Sequence, residues 1–300
     1  MPVKHRAGQG PRFFAVCLCL LALAFTAACQ KQETRSTLER LRESGKARVG
    51  FANEAPFAYL DSETGELTGE APAMARVVLE KIGVKEIEPV VTEFGSLIPG
   101  LKAGRFDLIA AGMYITPKRC EQIAFSNPTY GLGEGFIVQA GNPLGLHSYG
   151  DVLKNEDARL GVVSGTVEIG YAQSLGISKD RMVVFPDMPS AAAGVEAGRA
   201  DAFAGTSLTV TDLLSKSQSG KLERAEPFTD PVIDGKAVRG YGAFGFRMED
   251  ADLRDAFNKH LAAFIGTPAH QALVNPFGFS RNELPGDATA QALCNPTPAK

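Results

Sequence analysis

With 300 residues and 44% hydrophobic content, the chain can build one large or two medium cores, and its composition is that of an ordinary soluble globular protein. The formal charge of −3 includes Lys4, Arg6 and Arg12 in the first 28 residues, which hold no acid, so the remainder comes to −6. That balance offers no basic face for nucleic acid.

Residues 1–28 read as a secretory signal peptide: a basic segment ends at Arg12, an apolar run covers 13–25, and the small residues Thr26, Ala27 and Ala28 precede Cys29. The run is too short for a confident membrane span. Cys29 after two alanines resembles a bacterial lipobox, in which Cys29 becomes the lipidated first residue. Thr26 stands where that motif usually has leucine, so ordinary signal peptidase cleavage stays open. Membrane contact is expected only through such an anchor, with residues 29–35 as a polar tether. Of the five cysteines, Cys17 and Cys19 leave with the signal, and Cys120 and Cys294 remain as a pair in an oxidising compartment, where a disulfide is expected. Two inert thiols are the alternative.

A helical pattern at residues 36–41, ending near Gly45, is followed by an alternating strand over 47–51, a loop containing Asn53, Glu54 and Phe57, and an amphipathic helix over 72–82. A second strand at 87–92 leads through Phe94-Gly-Ser96 to a helix over 97–103 closed by Gly104. The same order returns with a strand at 159–163, a turn and cap at Ser164-Gly-Thr166, a helix at 167–175 and a strand at 181–185. Such alternation argues for mostly parallel α/β sheets. A partial repeat strengthens it: Leu101-Lys-Ala-Gly-Arg-Phe-Asp107 against Val195-Glu-Ala-Gly-Arg-Ala-Asp201, each leading into a short buried strand. Two similar lobes are expected. The first takes residues 36–131, the second 132–240, with a crossing near Gly131 to Gly135. Residues 241–284 return to the first lobe through a strand at 240–246 and a helix at 250–265, and 285–300 form a polar, loop-like tail anchored by Cys294.

Residues 107–111 are a short apolar run suited to a strand covered on both faces, with Gly112 expected to let the chain turn at its end. Thr116-Pro117 then reads as an N-cap and first helical position, which puts Arg119 in the opening turn. A cation near the positive end of the helix dipole is a small liability unless it holds an anion, so Arg119 beside free helix N–H groups is expected to bind a carboxylate. Ligands of open α/β sheets sit beyond the carboxyl ends of strands. The loops expected there, 53–59, 94–96, 113–119, 164–167 and 205–208, bring one arginine, one acid, Glu54, and the aromatics Phe57, Phe94 and Tyr114.

The motif Gly112-Met-Tyr-Ile-Thr-Pro-Lys-Arg119, followed by Ile123-Ala-Phe-Ser-Asn-Pro128, resembles the core of the polar amino-acid-type solute-binding proteins (family 3) of bacterial ABC importers, over roughly residues 36–279. The resemblance implies a type II periplasmic-binding-protein fold, two α/β lobes with a ligand cleft between them. It also implies that Arg119 grips the ligand's carboxylate and that Gly165 and Thr166 bind it from the second lobe. Many members carry an aspartate for the ligand's α-ammonium where this chain has Thr206, and burying an ammonium without a charged partner is costly. Glu54-Ala-Pro-Phe57, Glu93-Phe94-Gly-Ser96 and Met113-Tyr114-Ile-Thr-Pro-Lys-Arg119 resemble segments of ectoine/hydroxyectoine-binding proteins. That likeness implies a box of Phe57, Phe94 and Tyr114 around a delocalised cyclic amidinium, Glu54 as its acid and Arg119 as the carboxylate clamp. Ring faces suit a diffuse, weakly hydrated cation, at roughly 0.5–2 kcal/mol each.

The partners implied are a small zwitterion and a cognate ABC permease, and the chain is expected to act as a periplasmic monomer without cofactor or metal. A polar amino acid or a betaine is the alternative ligand. A periplasmic dehydratase on the same fold is the enzymatic alternative. His147, His260 and His270 are scattered outside the expected cleft, and no metal-ligand spacing or nucleophile–base arrangement appears, so no catalytic residue is assigned.

Overall fold

The computed structural model describes residues 1–3 and 35–296, in two compact units, 1–36 and 37–300. Residues 4–34, with nearly all of the signal peptide, Cys29 and most of the tether, lie outside the described residues. Within the first unit Met1 to Val3 are exposed and without regular structure. All that follows concerns the second unit.

The first lobe opens with α1 (Thr37–Ser44), β1 (Lys46–Phe51), α2 (Glu70–Ile82), β2 (Glu86–Val91), α3 (Leu97–Lys102), β3 (Leu108–Tyr114), α4 (Pro117–Cys120), β4 (Ala124–Phe125) and β5 (Tyr130–Leu132). The second contains β6 (Glu134–Gln139), α5 (Tyr149–Lys154), β7 (Leu160–Val163), α6 (Val167–Ser174), β8 (Met182–Phe185), α7 (Met188–Glu196), β9 (Ala202–Thr206), α8 (Ser207–Lys216) and β10 (Leu222–Arg224). The chain then re-enters the first sheet through β11 (Gly240–Phe246), followed by α9 (Ala251–Phe264), α10 (Pro268–Val274) and α11 (Ala290–Cys294). This is the type II periplasmic-binding-protein fold.

The two sheets share one plan. In the first, β2, β1 and β3 run parallel, β11 joins β3 antiparallel, and β4 and β5 pair with β11. In the second, β8, β7 and β9 run parallel and β6 joins β9 antiparallel, with β10 outside it. Buried apolar side chains line both faces of the parallel strands, as in Leu108, Ile109, Ala110 and Ala111 of β3, which is why these segments read as continuous apolar runs.

The sequence repeat has a structural meaning. Asp107 accepts from the Arg48 backbone N–H at 2.9 Å and from its guanidinium, while Asp201 accepts from the Arg159 backbone N–H at 2.8 Å and from its guanidinium. In each lobe a glycine at positive φ, Gly104 or Gly198, ends the preceding helix, and the aspartate pins the next strand to its neighbour. Asp107 is nearly solvent-free and is also held by Arg40 at 2.7 Å. Burial pushes its carboxyl up, but the hydrogen bonds from Arg48 and Arg40 outweigh that and hold it below the usual aspartate range.

Two expectations need correction. The strand does not end at Gly112; β3 continues to Tyr114, and Gly112, at φ +63°, marks a slip in the ladder with β11 rather than a turn out of the sheet. The tail is not all loop-like either: Thr289 caps the short helix α11, whose Cys294 is bonded to Cys120 of α4 with a Cα–Cα distance of 5.7 Å. Among the described residues no helix is long and apolar enough to cross a membrane.

Candidate ligand site between the lobes

The carboxyl ends of β1, β3, β7 and β9 turn toward one another around a small cavity. It is lined by Glu54, Phe57, Phe94, Gly112, Tyr114, Arg119, Thr166, Val167, Glu168, Met188 and Thr206. Of the eight ligand-binding residues expected from the sequence, seven line this cavity, and the eighth, Gly165, touches Arg119 directly. None of His147, His260 and His270 lines it, and among the described residues no group of three or more His, Cys, Asp or Glu side chains has the geometry of a metal site.

Arg119 is 8% exposed, and its guanidinium donates to the Tyr114 carbonyl at 2.7 Å and across the cleft to the Gly165 carbonyl at 2.9 Å. The Phe94 ring lies 5.4 Å from its guanidinium carbon. Thr116 caps α4 as expected, yet the N–H it engages is that of Arg119 itself. The guanidinium therefore rests on carbonyl oxygens rather than beside free helix N–H groups. Burial lowers the arginine's pKa while the nearby Glu168 charge opposes that loss.

Glu54 is 8% exposed and accepts a 2.7 Å hydrogen bond on Oε1 from the hydroxyl of Thr209, 155 residues away on α8. Burial pushes its carboxyl up to about 8, against the pull of that hydrogen bond and with the Glu168 charge adding to the rise.

The three rings face the cavity without ring contact among themselves. Phe57 packs instead on Tyr130 and Phe279, and Tyr114 on Tyr130. Glycines make these seats. A Cβ on Gly112 would stand 2.6 Å from the Phe57 ring, and one on Gly240 would stand 1.8 Å from the Tyr114 ring, so the aromatic side chains lie flat on bare strand.

The second lobe contributes Thr166 and Thr206 at the starts of α6 and α8. Thr206 caps its helix and its hydroxyl lies 2.8 Å from that of Thr209, whereas Thr166 donates to the Val163 carbonyl and caps nothing with its side chain. Sequence reasoning missed Glu168, Met188 and Thr209. The segment expected at the cleft stopped at Val167, one residue before Glu168, so the count of a single acid there is corrected to two. A glutamate in the first turn of a helix is favoured by the dipole anyway, which is why its spacing gave no signal.

Two lobes of one topology, closing on a cavity that holds an arginine, two acids and three aromatic rings, define a protein that captures a small solute. The bacterial extracellular solute-binding proteins, family 3, match residues 47–279, and the chain belongs to that family. A probable amino-acid ABC transporter periplasmic-binding protein of Sinorhizobium fredii is 42% identical over 263 residues, 86% of each chain. The lysine/arginine/ornithine-binding periplasmic protein of Escherichia coli is 30% identical over 209 residues, 69% of this chain and 77% of that one. Among solved structures, EhuB in complex with hydroxyectoine superposes with a TM-score of 0.79 at 35% identity, covering 87% of this chain and 98% of that one. The protein is accordingly a solute-binding component of an ABC importer and not an enzyme; its relatives are periplasmic.

Proposed function

We propose that the protein captures the zwitterions ectoine and 5-hydroxyectoine in the periplasm and delivers them to a cognate permease. The observation that carries this reading is the pairing inside one cavity of three ring faces and Glu54 with Arg119, while Thr206 offers a hydroxyl where an acid for a primary ammonium would stand. Arg119 holds the ligand's carboxylate with Gly165 and Thr166 beside it. Phe57, Phe94 and Tyr114 surround the delocalised amidinium, which Glu54 neutralises. The likeness to the hydroxyectoine complex supports the same assignment. Export by the 1–28 signal, whether cleavage leaves Cys29 lipidated or not, brings the protein to where such a solute arrives.

A polar amino acid is the second reading, favoured by the names of the Sinorhizobium and Escherichia relatives. Glu168, which also lines the cavity, supplies an acid that this reading can use. Calorimetric titration of the mature protein with ectoine, hydroxyectoine, glycine betaine, L-proline and L-arginine separates the two. Saturable heat from ectoine, abolished by Arg119→Ala, is expected; tight L-arginine binding with no heat from either ectoine would reject the assignment. The Arg119 loss is expected to be about 3–5 kcal/mol, a hundredfold or more in affinity, because a buried carboxylate is left unpaired.

A further inference from the structure

Behind Arg119 lie two carboxyl groups that ligand capture as described does not use. Glu168, at the second position of α6, and Glu134, the first residue of β6 just past the crossing, are 2% and 3% exposed. Their carboxyls are within hydrogen-bonding reach of each other. Among the described residues neither oxygen of Glu134, nor Oε2 of Glu168, meets a donor. Two ionised carboxylates cannot satisfy one another, since both only accept. One proton between them turns an acceptor into a donor and removes two orphaned oxygens at once.

The surroundings decide which carboxyl holds it. Burial pushes the Glu168 carboxyl up as well, but its place in the first turn of a helix, its own backbone N–H and the Arg119 charge all favour the carboxylate. Glu134 has none of these. Its backbone N–H donates to Asp230 at 2.7 Å, and the groups facing it are Asp230, Glu54, Glu168, Tyr114, Tyr149 and Tyr171, none of them cationic. The Arg119 charge faces Glu168.

We propose that in the closed protein Glu134 is a protonated acid donating to the Glu168 carboxylate, a relay that keeps one negative charge behind the Arg119 guanidinium and makes ligand capture take up a proton. The relay spans the closure itself: Arg119 belongs to the first lobe, Glu168 to the second, and Glu134 to the crossing between them. When the lobes part, Arg119, Tyr114 and Glu54 withdraw and water reaches the two acids, so that both ionise as ordinary glutamates near neutral pH. Closing on a ligand removes that water and returns the proton to Glu134. Burial and the Glu168 charge both push the Glu134 carboxyl well above the usual range, in agreement with this order of events. Glu134 is thus a positioning residue. It fixes Glu168 and through it the guanidinium, without needing to touch the ligand. The inference rests on the reading of the cavity as a site that opens and closes around a solute.

The test counts protons. Titration with ectoine at pH 7.5 is repeated in buffers of low and high ionisation enthalpy, and in parallel with L-arginine, so that a wrong ligand assignment is seen as absent ectoine heat and not as an absent proton. Uptake of about one proton per bound ligand is expected, with affinity falling by up to about tenfold per pH unit as the pH rises. In Glu134→Gln the amide donates to Glu168 without a titrating proton, so the count falls close to zero and the affinity becomes independent of pH. A wild-type protein that binds either ligand with no net proton exchange would overturn the relay, as would a Glu134→Gln protein that keeps the wild-type count.

Discussion

Gly165 of the second lobe meets Gly95 of the first across the cleft, so closely that a Cβ on Gly165 would lie 2.5 Å from the Gly95 Cα. Gly165 is also at φ +79°, a conformation that disfavours any other residue. The contact lies beside the 2.9 Å hydrogen bond from Arg119 to the Gly165 carbonyl, so one pair of glycines sets how far the two lobes can close over the clamp.

The first prediction follows from that contact. Gly165→Ala should leave the open protein folded, with a backbone penalty of about 1–2 kcal/mol, while its methyl group holds the lobes apart. Affinity for the ligand is expected to fall at least tenfold, and the ligand-induced rise in melting temperature should shrink with it. An alanine variant that binds as tightly as wild type would mean that the bound form closes along another line.

Thr209 and Glu54 make the second bridge between lobes. Thr209 is fully buried, so Thr209→Val keeps its volume while removing the donor to Glu54 Oε1 and the partner of the Thr206 hydroxyl. Hydrogen bonds to charged groups contribute about 1.5–3 kcal/mol, which predicts a loss of roughly tenfold to a hundredfold in affinity for a cationic ligand. Calorimetry on the variant checks it; unchanged affinity would show that Glu54 is not the acid that pairs with the ligand.

Asp107 and Asp201 provide an internally controlled test of the repeat. Asp107 is buried under two arginines, while the Asp201 side chain keeps 23% of its surface, so Asp107→Asn should cost about 2 kcal/mol and Asp201→Asn less. Because the Asp107 carboxyl is held below its ordinary value, its contribution is present above the ordinary aspartate range and lost as pH falls through the depressed value. Thermal unfolding between pH 7 and pH 3 should therefore converge for wild type and Asp107→Asn as acidity rises. Curves that stay equally separated at every pH would refute the carboxylate's role.

The outline of the fold was legible because it depends on local patterns. Apolar runs of strand length, Thr116-Pro117 as a helix start and the repeated Ala-Gly-Arg-x-Asp are all short-range signals, and Arg119 stood out as a cation in an unexpected place. The strand containing Gly112 was misread for the same reason. Positive φ is the local habit of a turn, and only the partner strand β11, more than a hundred residues away, carries β3 on to Tyr114.

The sequence by itself determined the two α/β lobes and the loops that bring Arg119, Glu54 and three aromatic rings to the strand ends, since strand, helix and turn patterns are local. Only the tertiary structure decided how these groups meet. The depth at which Glu54 is buried, its bond to Thr209, the seat of Tyr114 on Gly240 and the coming together of Glu134 with Glu168 all join residues far apart in the chain. Burial and partnership in turn fix charge: a glutamate in water is an anion whatever its neighbours in sequence. The same glutamate enclosed against a second carboxyl holds a proton, and no local pattern along the chain records that enclosure.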